Sequence, residues 1–168
     1  MAEGTYLKLI EQRLNEEKWT RATLNNYTIN NLKELDTDIE AVFESKEETE
    51  VRALCDEHLQ HTKNSIVALY ISGIIAISKQ QVDDTNIVTL ISIFTDNRKW
   101  NIVEFLCERI LEFGENKFAL KTLAECYENE NEEDKKFEIW ERLIRVDYEE
   151  ADIVQQLAEK KEADADID

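Results

Sequence analysis

The chain has 168 residues, no proline, three glycines and a 42% hydrophobic fraction, which fits one domain of long helices joined by short turns. Sandwiches and barrels are excluded, because they need many turn-forming residues. The formal net charge of −18 argues against nucleic acid and anionic membranes as direct partners and in favour of basic protein surfaces.

Thr5 to Leu14 reads as an amphipathic helix with Tyr6, Leu9, Ile10 and Leu14 on one face. Trp19, Leu24 and Tyr27 mark a second helix. Thr37 with Glu40, and Ser45 with Glu48, have the spacing of capping boxes and predict two helix starts. Val51 to Leu59 is the next helix, and Asn64 or Ser65 caps the one after it. That helix, Ile66 to Ile77, is apolar on all sides and therefore predicts a buried centre. The same stretch is too short to cross a bilayer, which takes about 20 residues.

Asp84 or Thr85 opens a helix through Phe94, Asp96-Asn97 turns the chain, and Arg98 to Phe113 returns. Gly114 stops that helix, since glycine takes the left-handed conformation at little cost. Asn116 caps a helix to Glu128, and the turn 129–131 leads to Glu132–Val146. Asp147 with Glu150 is a third capping box, before a last helix to Lys161. The expected architecture is all-α, with about eight to nine helices as stacked antiparallel hairpins. Residues 1–50 form irregular N-terminal helices and 51–161 repeat hairpins of a single domain. Residues 162–168 are an acidic tail, or a linker to a portion absent from this chain.

Repetition supports the hairpins. Leu123-Ala124 recurs as Leu157-Ala158, and Glu108-Arg109-Ile110-Leu111 is echoed by Glu141-Arg142-Leu143-Ile144. Leu54-Cys55 with Asn64 parallels Leu106-Cys107 with Asn116. Leu120, Leu123, Ala124, Tyr127 and Trp140 fall where a tetratricopeptide hairpin places its large, leucine, small, tyrosine and second-helix aromatic residues, so the stretch resembles that repeat. Lys136, at a small-residue site, and Tyr148, in place of the closing proline, depart from it. The resemblance implies a right-handed solenoid whose groove is lined here by Phe118, Lys121, Glu125 and Glu128. With Glu125 where a carboxylate-clasping member carries asparagine, this groove is not expected to hold peptide C-termini.

Signals for chemistry are few. Cys55, Cys107 and Cys126 are odd in number and widely spaced, which suits a reducing cytoplasm rather than a disulfide framework. Cys55, His58 and His61 lie close in sequence, but a zinc site needs four ligands and no second pair is present. The acidic run Glu128 to Asp134 lacks the glycine and ligand order of a calcium loop and reads as a solvated turn entering a helix. There is no phosphate loop, dinucleotide turn or serine-nucleophile motif. Neither catalytic residues, cofactor nor metal are expected. Trp19, Trp100 and Trp140 each sit on an apolar stripe and read as core before interface anchors.

Three blocks carry a wider resemblance: Asn15 to Asn31, Cys55 to Ile77, and Ile93 to Val154 with its FTDNRKWNIVEFL and ILEFGENKFALKTLAECYENENEEDKKFEIWERL strings. They resemble the N-terminal helical extension of the large spirochaete-type GreA transcription elongation factors. The resemblance implies a factor that binds RNA polymerase, inserts a coiled coil into its secondary channel and helps a catalytic magnesium cleave backtracked RNA. The acidic tip motif of that coiled coil has no counterpart here, and Glu128-Asn129-Glu130-Asn131 matches it only superficially. The implied role is a non-catalytic docking scaffold whose partner is RNA polymerase or another transcription protein. The alternative is a free-standing tetratricopeptide-like adaptor unconnected with transcription.

Overall fold

The computed structural model describes residues 5–20, 27–80 and 85–146, and of 18–20 the backbone alone. Among the described residues there are eight helices and no strand, and within each of two units helices adjacent in sequence pack as pairs. They fall into two compact units, Met1–Asn97 and Arg98–Asp168.

The first unit holds α1 (Thr5–Thr20), α2 (Ile29–Ser45), α3 (Glu48–His61), α4 (Ile66–Ser78) and α5 (Thr85–Asp96). Every residue of α4 from Ile66 to Ala76 is buried, as a helix with apolar residues on every side requires. α1, α2, α3 and α5 all pack on it. Each large aliphatic side chain so covered contributes about 2 kcal/mol of burial. Gly73 lets α5 approach: a Cβ built there would meet Ile87 Cδ1 at 2.5 Å and Cγ1 at 2.6 Å. The buried Ser72 hydroxyl donates to Asp56 of α3 (2.6 Å) and accepts from Asn86 of α5 (3.0 Å), so the one polar row on α4 is satisfied by both neighbours.

The helix starts in this unit differ from two of the expected capping boxes. Thr37 lies inside α2, its hydroxyl donating to the Lys33 carbonyl. The box is Thr28 with Asn31: the Asn31 amide donates to Thr28 Oγ1 (3.3 Å) and the Thr28 amide to Asn31 Oδ1 (2.9 Å). Ser45 closes α2 by donating to the Val42 carbonyl, and Lys46 follows in the left-handed conformation (φ 63°). α3 then begins without a side-chain cap. Trp19 belongs to the end of α1, Tyr27 lies outside any helix, and Leu24 falls outside the described residues.

The second unit holds α6 (Trp100–Leu111), α7 (Lys117–Asn129) and α8 (Glu133–Val146). α7 packs against both others. Gly114, at φ 135°, ends the passage from α6, and Asn116 starts α7 by accepting from the Ala119 amide at 2.9 Å. Asn131 takes the positive φ of the turn into α8. The core includes Val103, Leu106, Ile110, Leu120 and Leu143. Trp140 is buried and meets Phe137 edge-to-face at 5.0 Å, whereas Trp100 is half-buried. Lys136 buries its stem and holds its ammonium 4.8 Å from the Trp140 ring and 3.1 Å from Glu133. The Asp147–Glu150 box, Tyr148, the helix to Lys161, the Leu157-Ala158 echo, the tail 162–168 and Asp84 lie outside the described residues.

Candidate functional site

The residues expected to line a groove share one stripe of α7. Lys121, Glu125 and Glu128 are exposed and Phe118 is half-buried. Cys55 is buried on α3, His58 half-buried and His61 exposed. Among the described residues no three histidine, cysteine, aspartate or glutamate side chains converge to hold a metal ion. No described helix is long and apolar enough to cross a membrane.

Two features emerge that single-helix reading does not expose. The first is Glu17, a carboxylate only 6% exposed on α1. It accepts from the Ile66 amide at 2.7 Å and the Val67 amide at 3.2 Å, and from the hydroxyls of Ser65 and Tyr27. Ser65 in turn caps α4 by accepting from the Ala68 amide at 3.1 Å. A carboxylate from one helix thus satisfies the free amides of another, where the helix dipole favours negative charge. Burial first, then the hydrogen bond to Glu17 and its charge, push the Tyr27 phenol well above its ordinary range. Beside this network lies a cavity of about 330 Å³ whose charged lining is engaged within the fold. Arg13 there donates to Asp38 at 2.9 Å and lies 3.8 Å from Glu34. Burial raises the Asp38 carboxyl in spite of Arg13.

The second feature is a cleft of about 420 Å³ across α6, α7 and α8. Its floor is Leu111, Leu123, Tyr127 and Ile139, and its rim carries Glu108, Glu112 and Glu138 with Lys135 and Arg142. At about 100° per residue, Leu123 and Tyr127 lie on the far side of α7 from Glu125. The cleft and the expected stripe therefore occupy opposite flanks of one helix.

Acid predominates around the cleft. Glu104 and Glu108 on α6 and Glu112 at its C-cap recur every fourth residue, which stacks like charges on one face. Burial, then the Glu104 charge, raise the Glu108 carboxyl against the pull of Lys135. Glu130 is raised by partial burial and by Glu104 and Glu132. The Tyr127 hydroxyl donates to Glu104 at 3.2 Å, and burial with the surrounding carboxylates keeps that phenol protonated. The cations are committed: Arg142 donates to both Glu115 oxygens (2.6 and 3.3 Å), Arg109 reaches Glu112 at 2.6 Å, and Lys135 stands 5.7 Å over the Tyr127 ring.

The sequence is 51% identical over 139 residues to a GreA-associated domains protein of Treponema pallidum (strain Nichols), covering 83% of this chain and 21% of that protein. It is 39% identical over 158 residues to the transcription elongation factor GreA of Borreliella burgdorferi, covering 94% of this chain and 18% of that one. The chain is thus homologous to a segment of these spirochaete proteins and spans about a fifth of the length of the curated relatives it matches. No protein-family model matches the sequence. No solved structure matches it either.

Proposed function

We propose that this chain is a non-catalytic docking region of a GreA-type transcription elongation protein, acting in the cytoplasm by holding the factor to RNA polymerase or another transcription protein. The observation that carries this reading is the 39% identity across 94% of the chain to a segment of a GreA factor. The supporting physical case is a helical scaffold rich in carboxylates, without the acidic tip motif that the resemblance assigns to RNA cleavage. The degenerate match of Leu120, Leu123, Ala124, Tyr127 and Trp140 to the tetratricopeptide pattern favours protein recognition over chemistry. A chain at −18 is steered toward basic surfaces and away from the phosphate backbone.

The test is direct binding of the purified 168-residue chain to purified spirochaete RNA polymerase, followed by interferometry. Saturable binding that weakens with added salt is the expected result. Absence of binding both to polymerase and to polymerase with its elongation factors present overturns the assignment.

A further inference from the structure

We propose that the cleft across α6, α7 and α8 docks a basic, amphipathic segment of a protein partner. An apolar side chain of that segment seats on Leu111, Leu123, Tyr127 and Ile139, and its lysines or arginines lie against Glu108 and Glu138. The proposal rests on the docking reading above for the partner being a protein, and on the geometry of the second unit for where and how it binds.

Three observations carry it. The cleft is concave and floored by apolar side chains from three helices, which gives a partner something to bury. Its volume of about 420 Å³ has room for one or two large side chains of a partner. Its rim carries Glu108, Glu112 and Glu138; Arg109 engages Glu112, but Arg142 is turned to Glu115 outside the rim, which leaves Glu108 and Glu138 facing Lys135 alone among the rim cations. Repulsion within the Glu104–Glu108–Glu112 row is relieved when a foreign cation enters. Charge complementarity therefore selects a basic occupant, and the apolar floor selects an amphipathic one. The opposite stripe of α7 offers mixed charge instead: Lys121 stands between Phe118 and the two glutamates.

The experiment uses a fluorescein-labelled amphipathic helical peptide of leucine and lysine, with its leucine–glutamate counterpart, titrated into the 168-residue chain. Two double variants change net charge equally: Glu108→Lys with Glu138→Lys in the cleft, and Glu125→Lys with Glu128→Lys on the stripe. The expected result is binding of the lysine peptide only, weakened about tenfold by the cleft pair and less than about twofold by the stripe pair. Glu108→Gln with Glu138→Gln, read beside far-ultraviolet circular dichroism, separates loss of the rim from loss of fold. Equal loss from both pairs, greater loss from the stripe pair, or no binding of the lysine peptide overturns the proposal. Polymerase binding that survives the cleft pair also overturns it and leaves the proposed function standing. Peptide bound in the cleft without any polymerase binding does the reverse.

Discussion

Glu17 and Glu108 are both glutamates on helices of an acidic chain, yet they meet different fates. Glu17 lies in the interior of the first unit, accepting from two backbone amides and two hydroxyls. Glu108 sits on the rim of a cleft in the second, raised by partial burial and by its own neighbours. The first unit turns its polar side chains inward to hold helices together: Glu17 for α1 and α4, Asp56 and Asn86 on Ser72, and Asp36 accepting from Tyr70 at 2.5 Å. The second unit leaves carboxylates standing around a recess. A protein that organises itself with one set of charges and presents another needs no separate domain type for recognition.

The largest expected effect tests the inward half of that contrast. Glu17→Ala strands two amides and two hydroxyls at the start of α4, and urea unfolding should register a loss of about 3 kcal/mol. Glu17→Gln keeps one acceptor and should lose roughly half as much. An alanine variant within about 0.5 kcal/mol of the parent would show that α1 is held by packing alone, and the contrast with Glu108 would collapse.

Thiol labelling compares the units under one condition. Burial pushes the Cys55 thiol up to about 12, and burial with nearby carboxylates does the same for Cys126, while Cys107 is also raised. At pH 8 all three should react about a hundredfold more slowly than in unfolded chain. If the second unit opens more readily than the first, Cys126 should label before Cys55. Simultaneous labelling would mean that the two units open together.

How much of this was legible in advance depended on locality. Ile66 to Ile77 announced a covered helix because no polar stripe interrupts it, and Ser65, Gly114 and Asn116 marked helix ends by chemistry acting within three residues. The Thr37–Glu40 box misled for the same reason, since its spacing is correct. The apolar series Leu32, Leu35, Ile39 and Val42 runs straight through it, and the effective cap proved to be Thr28, boxed with Asn31. Glu17, in the run Asn15-Glu16-Glu17-Lys18, reads as solvent-facing. What buries it is a helix start 49 residues further on, which no local pattern encodes. The cleft was hidden likewise: Leu111, Leu123 and Ile139 each read as ordinary core, and only the packing of three helices leaves a recess among them.

Gly73→Ala probes how tightly the first unit is packed. The new methyl meets Ile87, so the variant should lose about 1–2 kcal/mol, part of it recovered by Ile87→Val in a double-mutant cycle. Additive losses would show that α5 moves aside to take the methyl.

The smallest effect concerns acid, and its sign follows from the direction of the shifts. The Asp38, Glu108 and Glu130 carboxyls all stand above their ordinary values, because burial and neighbouring carboxylates disfavour the ionised form in the fold. The folded chain therefore holds these protons more tightly than the unfolded one. Their contribution is fully present below the ordinary carboxylate values and is lost as pH rises through the raised ones. Lowering pH from 7 to about 5.5 should raise the melting temperature slightly, before the pH enters the ordinary carboxylate range. Glu108→Gln removes one member of the repelling row and should itself stabilise by a few tenths of a kcal/mol, roughly the worth of an i,i+4 pair. It should also flatten that part of the pH profile. A Glu108→Gln protein less stable than the parent would mean that this carboxylate is held by contacts within the fold, and the rim would then have no surplus charge to offer a partner.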